Sequence, residues 1–415
     1  MSDSPSQIAH RARLASRVLA ALPTRSKNDL LLDLAAELLN QKVRILNSNA
    51  ADLEAARSAG LSSSKLRRLE LSESSIDQLA RGLEQVAALP DPVGQVTHER
   101  KMPSGLLVLR VRVPLGVVCM IYEARPGVTV DAFALCLKSG NACILKGGRE
   151  AARSNQTLAG IVQDALGRHA LPLDAIASIS TTGRDDLAEL LKLEQDIDLV
   201  IPRGGEELIR FVSSNSRIPV IQHYKGVCHI FVDRSADIDR AIPLCLAAKT
   251  SAPATCNAAE CVLVHKDVAP AFLPRLAAAL DSAGVEIRAD QRAGAWMPAS
   301  KPASESDFGR EFLDLVVAVR IVDGVEQAIS HIASYGSRHT EAILSKDVAT
   351  IELFRAGVDA SCVVVNASTR FNDGFQLGLG AEIGISTSKL HAYGPMGLEE
   401  LTTTRFEVVG DYQAR

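Results

Sequence analysis

The sequence has no excess of basic residues and no apolar run long enough to cross a bilayer. Lys and Arg number 45 against 49 Asp and Glu, which gives a formal net charge of −4. A surface that binds nucleic acid is usually marked by clustered Lys and Arg and by a high pI, and neither is found here. A membrane-spanning helix would need roughly 20 consecutive apolar residues. The composition therefore predicts a protein with neither a nucleic-acid nor a membrane partner.

The eight cysteines include no CxxC pair, and no Cys/His set has the spacing of a zinc finger. Most of them lie inside apolar, strand-like runs such as Val117–Tyr122 and Cys362–Asn366. This arrangement is typical of a reducing compartment and differs from a disulfide framework. We therefore expect a cytoplasmic protein that holds no metal.

The periodicity of apolar residues changes from helical to alternating near residue 96. At 415 residues the chain is too long for one hydrophobic core and predicts two or three domains. In the first ninety residues the pattern is helical, and one long helix is expected from the Ser62–Ser64 cap to Leu89. The alternation over Leu107–Val113, after a Pro103-Ser104-Gly105 turn, predicts a β-hairpin.

Short apolar strands then alternate with helices over residues 117–223 and 229–366. This alternation predicts parallel sheets with both faces covered, which bind ligands beyond the carboxyl ends of their strands. The strands predicted in the first region are Val117–Tyr122, Ala142–Lys146, Ile176–Ser180, Asp198–Pro202 and Pro219–His223. Those predicted in the second region are His229–Asp233, Glu260–His265, Leu315–Asp323, Glu341–Ser345 and Cys362–Asn366, with a final strand at Leu401–Val409.

Cys256 lies in a run of small residues, Ser251–Glu260, between a predicted helix and a predicted strand. Small side chains let the backbone approach a substrate closely. A cysteine thiolate is a strong nucleophile where its pKa is lowered. Cys256 is thus the first candidate nucleophile among the eight, and an inert core cysteine is the competing interpretation.

A second candidate site follows the strand that ends at Lys146. Gly147 and Gly148 permit close backbone approach, and Arg149 then opens a helix whose N-terminus favours anions. The residues therefore indicate a phosphate or ribose site. Taken alone, they fit a tight turn with solvated cations better.

Longer motifs connect these two segments to a known family. The motifs, in chain order, are Val113–Val118, Ile121–Pro126, Ser139–Ala142, Cys256–Ala258, Glu311–Asp314, Gly336–Ala342, Val365–Phe371 and Gly378–Leu401. In these segments, and over essentially its whole length, the chain resembles the gamma-glutamyl phosphate reductases, also called glutamate-5-semialdehyde dehydrogenases. They are a branch of the aldehyde dehydrogenase superfamily.

The resemblance implies an α/β fold of the aldehyde dehydrogenase type, with a Rossmann-like cofactor domain, an α/β catalytic domain and a β oligomerisation arm. We assign residues 1–95 and 114–226 to the NADP-binding domain and residues 227–400 to the catalytic domain. Residues 96–113 and 401–415 are assigned to the arm. Strands of this arm pair across subunits in the superfamily, so a homodimer or homotetramer is expected.

The resemblance also implies roles for single residues. Cys256 corresponds to the catalytic nucleophile, Lys146 to the lysine that contacts the adenosine ribose, and Glu311 to the glutamate that holds the nicotinamide ribose. Gly147 and Gly148 join Lys146 in the cofactor site. Arg149 stands where NAD-preferring relatives often carry an acidic group, and a cation there favours NADP(H).

The segment from His223 to His229 contains no carboxylate, although hydrolytic aldehyde dehydrogenases place a water-activating glutamate there. An enzyme that reduces an acyl phosphate needs no such base, since phosphate is the leaving group. The resemblance therefore implies NADPH-dependent reduction of L-glutamyl 5-phosphate through a Cys256 thioester, the second step of proline biosynthesis. The candidate substrate-binding residues are Arg125, Arg203, Asn257 and Arg370.

One position departs from the family pattern, and two other functions stay open. Gly127 stands where the family has Asn, so another group must replace any contact of that amide. The alternatives are another acylating aldehyde dehydrogenase and a non-catalytic partner of glutamate kinase. Glutamate kinase, which supplies the labile substrate, is also the expected partner of an active enzyme.

Overall fold

The computed structural model describes residues 3–179, 184–222 and 224–414, and the chain divides into two compact units. The first unit comprises Met1–Gln222, Leu379–Gly384 and Met396–Arg415, and the second comprises His223–Gly378 and Ile385–Pro395. Among the described residues, no helix is both long and apolar enough to cross a membrane.

Helices and strands alternate along most of the chain. The α-helices are α1 (Pro5–Ala20), α2 (Thr24–Asn40), α3 (Lys42–Ser58), α4 (Ser63–Leu69), α5 (Glu73–Ala88), α6 (Val128–Lys138), α7 (Ala152–Arg168), α8 (Arg184–Leu190), α9 (Glu206–Asn215), α10 (Ile238–Thr250), α11 (Ala269–Ser282), α12 (Gln291–Gly294), α13 (Glu305–Phe308), α14 (Val325–Tyr335) and α15 (Val348–Gly357). The strands are β1 (Val96–Lys101), β2 (Leu107–Pro114), β3 (Val117–Tyr122), β4 (Ala142–Gly147), β5 (Ile176–Ser178), β6 (Leu199–Arg203), β7 (Cys228–Val232), β8 (Ala259–His265), β9 (Glu286–Ala289), β10 (Lys301–Pro302), β11 (Val316–Val322), β12 (Thr340–Leu344), β13 (Cys362–Val365), β14 (Gly384–Ser386), β15 (Gly394–Met396) and β16 (Thr402–Val409).

The helix predicted from Ser62–Ser64 to Leu89 is wrong, because it is interrupted after α4. The interruption is stabilised by Asn49 of α3, whose amide nitrogen donates to the Leu69 carbonyl while its amide oxygen accepts from the Leu71 N–H. The backbone groups that a continuous helix would have paired are therefore satisfied by a buried side chain. Ser72 then caps α5.

The parallel sheet of the first unit has the strand order β5-β4-β3-β6. Every residue of β3 is buried, as expected for a strand covered on both faces. The prediction of a strand at Pro219–His223 is wrong. The described part of this segment forms only an isolated bridge between Val220 and Val200 and no continuous ladder. Ser180 and His223, the last residues of two predicted strands, lie outside the described residues.

The second unit is built on a seven-stranded sheet with the order β10-β9-β11-β8-β7-β12-β13, in which neighbouring strands are parallel. The five strands predicted for this region are confirmed. The prediction missed β9 and β10, which are short and partly exposed and therefore lack a clear apolar signal. The core cluster on one side of the sheet includes Phe272 and Leu276 of α11.

The predicted hairpin and terminal strand form one antiparallel sheet in the order β1-β2-β16. Two arginines of the hairpin contact the C-terminal part of the chain. Arg110 donates to Thr404 and lies 4.6 Å from the centre of the Phe406 ring, while Arg112 pairs with Glu399. These arginines therefore help to hold the C-terminal strand of their own chain.

The two compact units differ from the predicted domains near the C-terminus. The prediction placed the whole of 227–400 in one domain, whereas residues 379–384 and 396–400 belong to the first unit. The physical reason is backbone and side-chain pairing: Ile383 donates to Met396 within this part, and Asn141 donates to the Leu401 carbonyl. The sheet of predicted arm strands also belongs to the first unit. The functional labels of the domains remain predictions.

Candidate active site

Cys256 lies on the loop between α10 and β8 in the second unit. Because β8 is a central parallel strand, this loop stands at the amino end of the sheet. Cys256 is partly exposed, in contrast to six buried cysteines; Cys362 is the other partly exposed one. Its position combines solvent access with a rigid strand immediately after it.

The residues on either side of Cys256 are held by the segment that follows β13. Arg370 donates to the Thr255 hydroxyl at 2.8 Å and to the Asn257 side-chain oxygen. The Asn257 amide donates to the Asn372 carbonyl at 3.0 Å. The guanidinium thus bridges both neighbours of the nucleophile.

Arg370 and Asn257 were both predicted to bind substrate. The structure brings them together beside Cys256 and directs their side chains toward the protein. Thr369 supports the same arrangement, since its hydroxyl donates to the Asn257 carbonyl at 2.7 Å. A positioning role accounts for these contacts, and substrate binding by either residue stays a prediction.

Gly226 connects Cys256 with Glu311, and the sequence analysis missed its importance. A Cβ on Gly226 would lie 2.6 Å from the carbonyl carbon and 2.8 Å from the Cα of Cys256. The Gly226 N–H donates to the Glu311 carboxylate at 2.8 Å. Glycine is therefore required for the close approach of two chain segments, and Glu311 is tied to the same backbone. The available signal was the glycine itself, in the segment that lacks the hydrolytic glutamate.

A buried ion pair lies directly behind the loop. Lys249, near the end of α10, contacts Glu260 of β8 at 2.7 Å, and both side chains are 1% exposed. Burial raises the pKa of Glu260 to about 7, although Lys249 acts in the opposite direction. The ion pair therefore links α10 and β8, the helix and the strand that flank the Cys256 loop.

One cluster in the second unit contains groups that bind metals elsewhere. The ligand atoms of His229, Cys261 and His331 lie within 4.8 Å of one another. However, Arg320 approaches His331 Nδ1 at 3.3 Å, and a guanidinium can only donate a hydrogen bond. The proton of His331 must then reside on Nε2, which leaves no lone pair there for an ion. We interpret the cluster as a hydrogen-bonded part of the core.

The predicted cofactor residues lie together in the first unit, where β4 ends. Lys146 is half-buried and Arg149 is exposed. The pKa of Lys146 is lowered because protein atoms desolvate its ammonium group and, to a smaller extent, because Arg149 lies nearby. A Cβ on Gly147 would collide with Asn155, so the backbone is closely packed there. Two neighbouring cations at the carboxyl end of a parallel strand fit a phosphate-bearing nucleotide such as NADP(H).

The N-terminus of α7, a few residues after Arg149, is already occupied by a side chain of the same unit, and the contribution of the helix opened by Arg149 to the anion site stays a prediction. Asp52 of α3 accepts from the backbone N–H groups of Ser154 at 2.8 Å and Arg153 at 3.3 Å. These two N–H groups of α7 thus already donate to a carboxylate, which also offsets the positive end of the helix dipole. The Arg153 guanidinium donates to the Ala51 carbonyl.

The structure places Arg125 and Arg203 at the carboxyl ends of two neighbouring strands in the first unit. Arg125 follows β3, and Arg203 ends β6, where it is in register with Tyr122. Gly127, the position of the departure from the family pattern, directly precedes α6 and offers no side-chain cap. Both arginines therefore lie at the sheet edge where α/β proteins bind ligands.

Comparisons with known proteins agree with this architecture. The sequence model of the aldehyde dehydrogenase family matches residues 5–303. Gamma-glutamyl phosphate reductase from Geobacter metallireducens is 53% identical over 98% of both chains, and the protein of that name from Meiothermus ruber is 52% identical over 98% of this chain and 97% of its own.

Solved structures give the same result. The crystal structure of gamma-glutamyl phosphate reductase from Thermotoga maritima has a TM-score of 0.97 and 43% identity, with 100% of both chains covered. An acetylating aldehyde dehydrogenase from Geobacillus thermoglucosidasius has a TM-score of 0.69 at 17% identity, covers 99% of this chain and 97% of its own, and shows the fold alone. The predicted aldehyde dehydrogenase-like fold is therefore confirmed, and the chain belongs to the aldehyde dehydrogenase family, in its gamma-glutamyl phosphate reductase branch.

Proposed function

We propose that this enzyme uses NADPH to reduce L-glutamyl 5-phosphate to L-glutamate 5-semialdehyde and phosphate, the second step of proline biosynthesis. The observation that carries the proposal is full-length identity of 53% to a relative named gamma-glutamyl phosphate reductase. The partly exposed Cys256, with both of its neighbours held in place, supports it. A cytoplasmic location is part of the proposal, since eight cysteines without a CxxC pair, most of them in apolar strand-like runs, are typical of a reducing compartment.

The proposed reaction has two stages on one sulfur atom. The Cys256 thiolate attacks the 5-acyl carbon, and the C–O bond to phosphate breaks to leave a thioester. Bound NADPH supplies the hydride that reduces the thioester carbonyl. The resulting thiohemiacetal anion collapses as its C–S bond breaks, which releases the aldehyde and regenerates the thiolate; the proton consumed overall is carried by the released phosphate. Backbone N–H groups around Cys256 are proposed to stabilise the oxyanion at both stages.

Residues of the first unit are proposed to hold the cofactor. Lys146, Gly147 and Gly148 would take the adenosine ribose, and Arg149 the 2′-phosphate, which makes NADPH the preferred cofactor. Glu311 of the second unit would accept hydrogen bonds from the nicotinamide ribose. Its contact with the Gly226 backbone fixes one carboxylate oxygen. A fixed acceptor supports this role, because less rotamer entropy is lost on binding.

The absence of a hydrolytic base favours phosphate over water as the group that exchanges with Cys256 on the acyl carbon. Tyr224 to His229 contains no carboxylate; His223 lies outside the described residues, and its side chain is not acidic either. Hydrolysis of the thioester would therefore lack its activating group. A second acylating function, with coenzyme A as the acceptor, is the alternative to exclude.

The reverse reaction tests the proposal. The purified enzyme is given pyrroline-5-carboxylate, which is in equilibrium with the semialdehyde, together with NADP⁺ and phosphate, and NADPH formation is followed by absorbance. We expect NADPH only when phosphate is present, and no activity when coenzyme A replaces it. Activity that persists without an acceptor, or that requires coenzyme A, would contradict the acyl-phosphate reaction.

Assembly and partnership complete the proposal. We propose a homodimer or homotetramer joined through the β1-β2-β16 sheet, since an exposed edge strand needs a partner for its backbone groups. Association with glutamate kinase is proposed because the acyl phosphate that links the two reactions is labile in water.

A further inference from the structure

The sheet of the second unit reverses its strand order between β7 and β12. After β7 the chain passes through α10 to β8 on one side, and after β12 it passes through α15 to β13 on the other side. Helices α10 and α11 pack on one face of this sheet, whereas α14 and α15 pack on the opposite face. In α/β proteins, ligands bind in the crevice that such a reversal opens beyond the carboxyl ends of the strands. A ligand is therefore expected at this crevice, at the opposite edge of the sheet from Cys256.

A cavity of about 210 Å³ lies in this crevice. Its apolar wall is formed by Ala241 and Leu244 of α10 and by Leu344, the last residue of β12. Its polar wall includes Arg240 and Lys346. The volume is below the roughly 300–1,000 Å³ of pockets for drug-sized ligands, so the cavity fits a smaller molecule and is too small for a dinucleotide.

The backbone beside the cavity is held in place by side chains. Asn366, which follows β13, accepts from the Ser345 N–H at 2.9 Å and donates to the Ser345 carbonyl at 2.8 Å. The Ser345 hydroxyl donates to the carboxylate of the buried Asp233 at 2.9 Å. Both Ser345 and Asn366 line the cavity. The cavity is therefore preorganised, and little of the protein has to be ordered when a ligand binds.

The charges that line the cavity favour an anion. Lys346 forms an ion pair with Asp237 at 3.0 Å, so these two charges offset each other. The Arg240 guanidinium, in contrast, makes no hydrogen bond or ion pair with any residue that the structure describes, and it interacts with Asp237 only through its charge. The lining thus carries two cations and one anion, a net charge of +1.

We propose that this cavity is a second ligand site, which binds a small organic carboxylate with a short apolar chain. Arg240 binds the carboxylate, because a guanidinium matches a carboxylate with two parallel hydrogen bonds. The apolar chain lies against Leu244 and Leu344, where its removal from water is favourable. The site is separate from the reaction at Cys256 and does not depend on the proposed function.

Binding of 3-methylbutanoate to the full-length enzyme, measured by saturation-transfer-difference NMR, tests the proposal. We expect a Kd on the order of 1 mM, as a ligand of this size allows. The amine 3-methylbutylamine has the same branched chain and the opposite charge, and it should not bind measurably. Equal binding of the amine, or no binding of the carboxylate at about 10 mM, would overturn the proposal.

Two variants change the charge of the cavity in opposite directions. Arg240→Gln should weaken binding of 3-methylbutanoate by at least about 10-fold, because a charged hydrogen bond is lost. Asp237→Asn should strengthen it by roughly 5-fold, because a negative charge is removed while asparagine still caps α10. Arg355→Gln, at an exposed arginine of α15 that does not line the cavity, is the control and should bind as wild type does.

Binding that is unchanged in Arg240→Gln, or that is not strengthened in Asp237→Asn, contradicts the proposed site. A gain of affinity cannot result from misfolding, so Asp237→Asn decides the question even if Arg240→Gln is unstable. Competition then distinguishes this site from the active site. An excess of pyrroline-5-carboxylate should leave 3-methylbutanoate bound, whereas displacement would place the carboxylate in the active site and overturn the proposal.

Discussion

Cys256 differs from most other cysteines of the chain in its access to solvent and in its surroundings. Cys119 and Cys245 are fully enclosed, and burial raises the pKa of each thiol to about 12. Such groups carry almost no thiolate at neutral pH and are inert toward a substrate. Cys362 is also partly exposed, but burial still raises the pKa of its thiol. Solvent access together with the braced loop therefore singles out Cys256.

Replacement of Cys256 by alanine should abolish turnover and leave cofactor binding intact. We expect kcat to fall by about 10³-fold or more, because no other group can form the acyl intermediate. NADPH affinity, measured by fluorescence titration, should not change. Cys362→Ala is the control, and it should keep wild-type activity. Substantial activity in Cys256→Ala would show that the mechanism is not covalent.

Arg149 is predicted to set the choice between the two nicotinamide cofactors. Arg149→Glu should raise the KM for NADPH by about 10- to 100-fold, since a charged hydrogen bond is replaced by repulsion of the 2′-phosphate. The KM for NADH should change little. Arg153→Glu is a close control, because the Arg153 guanidinium is tied to the Ala51 carbonyl. Equal effects of Arg149→Glu on both cofactors would remove Arg149 from the phosphate site.

At the scale of secondary-structure elements, the helix and the strand that flank the Cys256 loop carry a buried ion pair. Lys249 of α10 and Glu260 of β8 belong to the two elements that the Cys256 loop connects. A buried ion pair contributes little net stability, because desolvation offsets the attraction. The contact nevertheless holds the C-terminal end of α10 against the first residues of β8. It therefore sets the distance that the Cys256 loop has to bridge.

The stability of this region should depend on the protonation of Glu260. Its pKa of about 7 in the folded protein exceeds the ordinary value of 4.5, so the folded state binds the proton more tightly. The contribution of the group is therefore fully present below pH 4.5 and is lost as the pH rises through about 7.

Urea denaturation of wild type and Glu260→Gln over this pH range measures the effect, since glutamine does not titrate. The difference in unfolding free energy, wild type minus variant, should decrease by on the order of 1–3 kcal/mol from pH 4.5 to pH 7. A difference that stays constant, or that grows with pH, would contradict a raised pKa at Glu260.

On the scale of the whole molecule, the β1-β2-β16 sheet carries several exposed apolar side chains on one edge strand. Phe406 is 64% exposed, and Val408 and Val409 are each 56% exposed. All three lie on β16, an edge strand with unpaired backbone groups. Apolar edge strands are ready templates for pairing with another chain, which supports the proposed assembly through this sheet.

The joint replacement Val408→Lys and Val409→Lys should dissociate the proposed oligomer. Charged side chains on the edge strand would have to be desolvated in an interface, so assembly is disfavoured while the isolated chain is not strained. Sedimentation velocity would show a dimer or tetramer for wild type and a monomer for the variant. Val43→Lys, at a valine of α3 that is 72% exposed, is the control. A monomeric wild type, or an intact oligomer in the double variant, would contradict the proposed assembly.

The sequence by itself determined the features that depend on neighbours along the chain. Apolar runs such as Val117–Tyr122 are strands because β-branched side chains favour extended backbone and both faces are buried. The alternating pattern over Leu107–Val113 predicted the hairpin for the same local reason. Family motifs identified Cys256, since the residues around a nucleophile are contiguous in the sequence.

Only the tertiary structure decided the features that depend on contacts between distant parts of the chain. Asn49 interrupts a helix that is locally continuous, and Asp52 neutralises a helix N-terminus about 100 residues away, because each side chain satisfies backbone groups that the local pattern leaves open. Arg370 reaches the neighbours of Cys256 across 113 residues or more. Hydrogen bonds and charge pairs of this kind are fixed by packing, and a one-dimensional pattern does not contain them.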